Sequence, residues 1–246
     1  MSSTPARPAR RRFRCRLWPT VITAAGLVLL LGLGTWQVER LGWKTELIRQ
    51  AEEGLAAPAV DLPDDAGLEG LDFRHVSVRG TYLHDAAIGF GLSAVQGEPG
   101  GRLVTPLRLD DGRIVLVDRG WLPEALLPPR TPPGLQPSGE VDIEGVARWR
   151  GGSKPGWLTP TNEPDKRRWF GWDLPALEQA LGMSLLPVEI VLERTEGTGE
   201  LPKTEPVTID LPNNHLGYAI TWYGLAAALL AIYLLSSMTQ PDSAQT

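Results

Sequence analysis

The sequence predicts a membrane-anchored α+β protein in which two transmembrane helices flank a mainly antiparallel, barrel-like β domain. Three observations lead there. Leu17 to Trp36 is a run of 20 residues without a charge, and Leu216 to Met238 is a run of 23 more. At about 1.5 Å per residue, each is long enough to cross a hydrocarbon core of roughly 30 Å. Between them lie short segments that alternate apolar and polar residues with the period of strands. A composition of 22% charged and 42% hydrophobic residues fits a globular domain joined to a little membrane.

Taken in order, residues 1–16 read as a basic tail. Arg7, Arg10, Arg11, Arg12, Arg14 and Arg16 give this tail +6 with no acid, so a net charge of −5 leaves −11 on the other 230 residues. A basic cluster beside a first span stays in the cytoplasm. The span itself, 17–38, resembles a signal peptide in its basic flank. Its apolar run is long, however, and "GTWQVERLGWK" offers no small-x-small cleavage site, so an uncleaved anchor is expected. Residues 39–214 then form an exported β-rich domain, 215–238 the second span, and 239–246 a cytoplasmic tail. The implied location is a bacterial inner membrane with the central domain periplasmic. An Arg-rich, acid-free start also fits a mitochondrial transit peptide, although 16 residues is short for one. Nucleic-acid binding by the arginines is the weaker reading beside a membrane span.

After the first span, "QVERLGWKTELIRQAEEGLAA" continues a helical pattern until Pro58, and "PAVDLPDDAGLEG" is a turn-rich connector. The strands expected next are "FRHVSVRGTYL", "AAIGFGLSAV", "GRLVTPLRL", "RIVLVDRGWL", "EVDIEGVARW", "PVEIVLER" and "EPVTIDL". "LDDGRI" is a hairpin signal between two of them. One short helix, "DLPALEQALG", starts at an Asp173 N-cap and stops at Gly182. The proline-rich 123–139 stretch reads as a long exposed loop. Seven strands with little helix favour a closed or nearly closed barrel, which leaves no free edges.

Several function classes are excluded. Cys15 is the only cysteine and lies in the basic tail, so the exported domain has no disulfide, CxxC pair or CxxCH haem attachment. The three histidines, His75, His84 and His215, show no paired metal-ligand spacing. There is no GxSxG nucleophile turn and no GxxxxGK[ST] phosphate loop.

The membrane-proximal segments carry more chemistry. On the first helix Trp36, Arg40 and Trp43 recur at i, i+4 and i+7, with Lys44 adjacent. On the second, His215, Tyr218 and Trp222 recur at i, i+3 and i+7, and Gly217, Thr221 and Gly224 make a small-residue face where another helix could pack. Asn213 and Asn214 are expected to cap the second span. An interfacial aromatic belt accounts for Trp18 and Trp43. It accounts less well for Trp222, seven residues or about 10 Å below His215. A histidine above a large aromatic, with cations on the other helix, suits a flat, apolar ligand bearing acidic groups.

"LGTWQVERLGWKTELI" and "NNHLGYAITWYGLA" resemble the two signatures of the surfeit locus protein 1 family. "FRHVSVRGTYL", "LVDRGWLP", "EVDIEGVAR" and "TNEPDKRRWF" resemble its internal blocks, in the same order. The resemblance spans roughly residues 30 to 235. It implies a membrane-anchored assembly factor that binds haem a or delivers it to cytochrome c oxidase subunit one, alongside other oxidase assembly factors. The second signature singles out His215 as the haem-associated residue, with Trp222, Tyr223 and Gly224 in the same motif. The internal RG turns fall at Arg79-Gly80 and Arg119-Gly120. A short N-terminal extension favours a bacterial member.

On that reading His215 is the ligand to haem iron, Trp222, Tyr218 and Trp36 supply apolar surface, and Arg40 and Lys44 meet the propionates. No catalytic residue, nucleic-acid partner or further metal is expected; the lipid bilayer is a partner. The rival is a pure scaffold that holds an oxidase intermediate while His215 is incidental. A membrane enzyme that modifies the cofactor is a weaker third.

Overall fold

A computed structural model describes residues 12–13, 16–64, 67–196, 199–209 and 212–239. The arginines at 7, 10, 11 and 14, Cys15, and the tail from 240 onward lie outside the described residues. Contacts divide the chain into two units, Met1–Ile48 with Leu211–Thr246, and Arg49–Asp210.

The first unit is a helix pair. It opens with β1 (Arg12–Phe13), followed by α1 (Leu17–Ala56), a continuous 40-residue helix that runs on past the unit's end. Its partner is α3 (His215–Ser237), with β10 (Met238–Thr239) at its end. Both helices are long and apolar enough to cross a membrane, and they anchor the protein there. β1 and β10 pair antiparallel, Arg12 with Thr239 and Phe13 with Met238, so the segment before α1 meets the segment after α3. That geometry requires two antiparallel spans.

The second unit is a mixed eight-stranded sheet. Its strands are β2 (Val60–Asp61), β3 (Arg74–Tyr82), β4 (Ile88–Val95), β5 (Glu98–Leu109), β6 (Ile114–Pro123), β7 (Glu140–Trp149), β8 (Arg168–Trp169) and β9 (Val188–Val191). The order is β2-β3-β7-β9-β6-β5-β4-β8, with β3 also pairing β5. The pairings of β3, β7, β9, β6 and β5 therefore run in a ring. Most are antiparallel, but β2–β3, β4–β8 and β6–β9 are parallel, so the sheet is not uniformly antiparallel.

β6 shows why the sequence folds this way. Val115 and Val117 enter one apolar cluster with Val76, Leu107 and Ile190, while Leu116 enters another with Ile88, Trp169 and Leu177. The two-residue period puts these neighbours on opposite faces, and both faces are covered. α2 (Leu174–Leu181) covers the second cluster through Leu177, which is fully buried. Asp173 caps it by accepting from the Ala176 N–H at 3.2 Å, and Gly182 ends it in the left-handed region. The expected hairpin is present too. Asp111 Oδ1 accepts from the Arg113 N–H at 2.9 Å, and Gly112 takes φ 89°. Gly80 allows the β3–β5 crossing, because a Cβ there would lie 2.3 Å from the Arg108 carbonyl.

Two expectations fail in this unit. "EPVTIDL" forms no strand in its described part, residues 205–209; Asp210 and Leu211 lie outside the described residues. Pro206 has no N–H to donate, and the Val207 N–H goes to a side chain, Glu193 Oε1, at 2.7 Å. Among the described residues, the sheet-like contact of this exit segment is the Lys203–Trp121 bridge. The proline-rich stretch, in turn, is not a wholly exposed loop. Leu127 is 1% exposed and packs with Ala87, Leu103 and Leu122, which pins the stretch to the sheet.

Candidate functional site

The site is built where α3 begins. Along the helix pair, Thr20 Oγ1 lies 2.7 Å from Tyr233 OH, Thr35 Oγ1 lies 3.2 Å from Tyr223 OH, and Gln37 Oε1 lies 2.7 Å from His215 Nδ1. Seventeen residues of α1, or about 26 Å, separate Thr20 from Gln37. That nearly spans a hydrocarbon core, so the Gln37–His215 pair sits at one edge of the bilayer. An amide oxygen only accepts, so His215 donates from Nδ1, and in the neutral ring the lone pair is on Nε2. No hydrogen bond engages Nε2 among the described residues. An imidazole held through one nitrogen and open at the other is the arrangement of a metal-ligating histidine.

Trp222, two helical turns on from His215 and within about 20° of it around α3, is half-buried. Tyr218 and Trp36 are exposed along their helices, as lipid-facing aromatics are. Arg40 lies over the Trp43 ring at 3.9 Å, which leaves its in-plane donors unused by that contact. Lys44 Nζ donates to the Pro212 carbonyl. No hydrogen bond or ring contact joins Trp36, Arg40 or Tyr218 to His215 among the described residues. The structure thus brings His215 together with Gln37, a residue that sequence reasoning passed over although it lies one heptad before Lys44.

The expected caps and packing face differ from the structure. Asn214 occupies the N-cap position at φ −89° and ψ 8°, outside the extended region that aims a side chain back at the helix, and it makes no capping bond. Asn213 instead reaches α1, its Nδ2 donating to Thr45 Oγ1 at 3.3 Å. Nothing lies within 4 Å of a Cβ built on Gly217 or Gly224, so that face does not pack on α1. The close approach uses glycines of α1 instead. A Cβ on Gly34 would lie 2.8 Å from the Tyr223 ring, and one on Gly26 would lie 2.9 Å from Leu229. Register explains it: Gly217 and Gly224 fall on the side of α3 opposite His215, Trp222 and Tyr233.

The sheet domain holds a second polar cluster that the sequence did not disclose. Asp118 on β6 and Glu189 on β9 are buried, at 3% and 2% exposure. Arg102 on β5 pairs with Asp118, and Arg150, one residue past β7, pairs with Glu189 at 2.6 Å. Burial pushes the Glu189 carboxyl up to about 7; Arg150 opposes the shift and the Asp118 charge adds to it. Burial raises Asp118 too, against the pull of Arg102. Beside them Phe90 stacks on Trp172 at 4.3 Å, lining a cavity of about 260 Å³. Each carboxylate has its own guanidinium, so the quartet clasps β5, β6, β9 and the end of β7 together. The two RG pairs are not turns but lie inside β3 and β6, and they divide in role. Arg79 pairs with Asp142 at the surface, whereas buried Arg119 donates to Glu196 Oε2 at 2.6 Å under the Tyr82 ring. His75 and His84 are bonded to Glu193 and to the Pro137 carbonyl. No cluster of three or more His, Cys, Asp or Glu poised for a metal ion occurs among the described residues.

Fold and site together define a two-helix, membrane-anchored protein with a mixed-sheet domain and a histidine–amide pair at the membrane edge. The chain belongs to the SURF1 family, which it matches over residues 24–227. It is 35% identical over 220 residues to a SURF1-like protein of Monosiga brevicollis, covering 84% of this chain and 83% of that one. It is 34% identical over 214 residues to Surfeit locus protein 1 of Takifugu rubripes, covering 80% and 88%. The Homo sapiens Surfeit locus protein 1 is 34% identical over 218 residues, covering 82% and 71%. Members of the family are known as cytochrome oxidase assembly factors.

Proposed function

We propose that this chain is a non-catalytic biogenesis factor of cytochrome c oxidase, which receives haem a as cargo and passes it to the large oxidase subunit alongside other assembly factors. On this reading it works from a bacterial inner membrane, with the sheet domain on the periplasmic side; the relatives compared above are eukaryotic. The observation that carries the reading is the 2.7 Å Gln37–His215 contact at the bilayer edge. The donor set fits the group: one imidazole, an indole below it, and two cations on the neighbouring helix. Haem a, when bound, would supply an iron for the His215 imidazole and carboxylates for Arg40 and Lys44.

This chain's residues then divide the work. Gln37 fixes the ring so that Nε2 faces outward. Trp222 provides an apolar wall, and Tyr218 and Trp36 extend it toward lipid, which keeps water from the apolar face of the cargo. Arg40 keeps its planar donors, and Lys44 keeps two of three, for paired carboxylates.

The scaffold reading draws on Lys44 and Asn213. Both are tied across the helix pair, to Pro212 and to Thr45, so the mouth of α3 is partly satisfied without a ligand. An absorption spectrum of detergent-purified protein from cells that make haem a separates the two. A Soret band at one haem per chain supports the carrier, and a clean apo spectrum supports the scaffold.

A further inference from the structure

In the sheet unit, the large apolar side chains left exposed are Leu92, Trp157 and Leu158, and Trp157 is 93% exposed. A neighbouring Trp and Leu both open to water make an apolar tip, and such tips mark interaction sites when polar residues rim them. It is also held in place. The Thr159 N–H donates to the Gly156 carbonyl at 2.9 Å, and the Gly156 N–H donates to Thr159 Oγ1 at 3.0 Å. These bonds close a tight turn with Trp157 and Leu158 at its two central positions. The base of the turn is packed, since a Cβ on Gly171 would lie 2.9 Å from both Pro155 and Thr159. Asn162 Oδ1 fixes the segment beneath by accepting from the Phe170 and Gly171 N–H groups at 2.8 and 3.1 Å.

The same edge is basic. Phe170 follows the run Lys166-Arg167-Arg168, and Leu92, Phe170 and Arg130 line one cavity of about 570 Å³ with Lys166 and Arg168. Lys154 sits three residues before Trp157. Against these five cations stand Glu124, Glu163 and Asp165, and the ion pair among them is Lys166–Glu163 at 2.9 Å. The excess is positive although the chain beyond residue 16 carries −11.

We propose that this edge, the Trp157–Leu158 turn with its basic flank, is a lipid-contact surface that docks the sheet domain on a bilayer with anionic headgroups. Aromatic and aliphatic tips rimmed by Lys and Arg are the chemistry of interfacial membrane contacts. The domain is joined at both ends to membrane-spanning helices, so a bilayer is always present at high effective concentration. This contact is independent of haem binding.

The test uses the full chain in nanodiscs, in a Cys15→Ser background, with an environment-sensitive fluorophore on Gly156→Cys and, as control, on Glu144→Cys. In phosphatidylcholine with phosphatidylglycerol, the label at 156 shows a blue shift and quenching by nitroxide-bearing lipid; the label at 144 shows neither. Both signals weaken in phosphatidylcholine alone and in Lys154→Glu/Lys166→Glu. They vanish in Trp157→Ala/Leu158→Ala. A water-like label at 156 in both lipid mixtures overturns the proposal. A label that is water-like in nanodiscs yet shielded in native membranes also overturns it, and assigns the edge to a protein partner.

Discussion

Gln37 Oε1 accepts from His215 Nδ1 at 2.7 Å, joining two membrane-spanning helices through residues 178 positions apart in sequence. The pair holds the His215 ring through Nδ1 and fixes its orientation on α3. It also makes α1 a participant in the site, rather than an anchor alone.

Gln37→Leu should keep the helix but free the ring. The lost hydrogen bond is worth about 0.5–1.5 kcal/mol of helix-pair stability. Haem affinity should fall by roughly 10- to 100-fold, the usual effect of losing the partner of a ligating histidine. Gln37→Glu keeps an acceptor and should retain most of the affinity. Titration of haem a into the detergent-solubilised variants checks this, and equal affinity in Gln37→Leu and wild type would remove Gln37 from the account.

Gly34→Leu should separate the helices, because a Cβ already meets the Tyr223 ring at 2.8 Å. Overpacking of this kind costs about 1–3 kcal/mol. Gly217→Leu and Gly224→Leu have open space before them and should leave the pair intact. Cross-linking by a bifunctional maleimide between cysteines placed at Thr20 and Tyr233, in a Cys15→Ser background, reads the difference, because the contact runs through the full length of the tyrosine and is too wide for a direct disulfide. Crosslinking that survives Gly34→Leu but fails in Gly217→Leu would mean the packing face is the one first expected from the sequence.

Stability of the sheet domain should fall as pH rises through about 7. Glu189 has a folded-state pKa raised to about 7, so between the ordinary carboxylate range and that value the folded protein holds a proton that the unfolded chain releases. That advantage is complete at the acid end and is lost as pH climbs through the folded value. Glu189→Gln cannot titrate and should flatten this part of the melting-temperature profile between pH 5 and 8 (approximate bounds set by the two pKa values). A profile parallel to wild type would show that Glu189 is already ionised when folded.

Much of the scaffold was legible in the sequence, for identifiable reasons. The spans announce themselves by uncharged length, and β7 by alternation from Glu140 to Glu144. α2 was marked by its cap and stop residues, Asp173 and Gly182. "EPVTIDL" is rich in β-prone residues, but its Val207 N–H is taken by the Glu193 side chain, a long-range contact that local propensity does not encode. The proline-rich stretch misled because Leu127 reads as part of a polar loop until Leu103 and Leu122 are seen beneath it.

The candidate site was legible only in part. Spacing put His215 and Trp222 on one face of α3, which is a property of a single helix. Gln37 and the Asn213–Thr45 contact depend on how two helices pair, and no local pattern specifies that. The same holds for the Asp118–Arg102 and Glu189–Arg150 clasp. Its members come from four separate segments, and only the strand order places two carboxylates side by side.

The central claim is that His215 ligates haem a, and a paired haem titration of wild type and His215→Ala in detergent tests it most directly. The variant should insert and fold normally, retain some haem through Trp222 and Tyr218, bind it more weakly, and shift the Soret band. Identical spectra and affinity in the two proteins would contradict the assignment, even if oxidase assembly failed in cells carrying the variant.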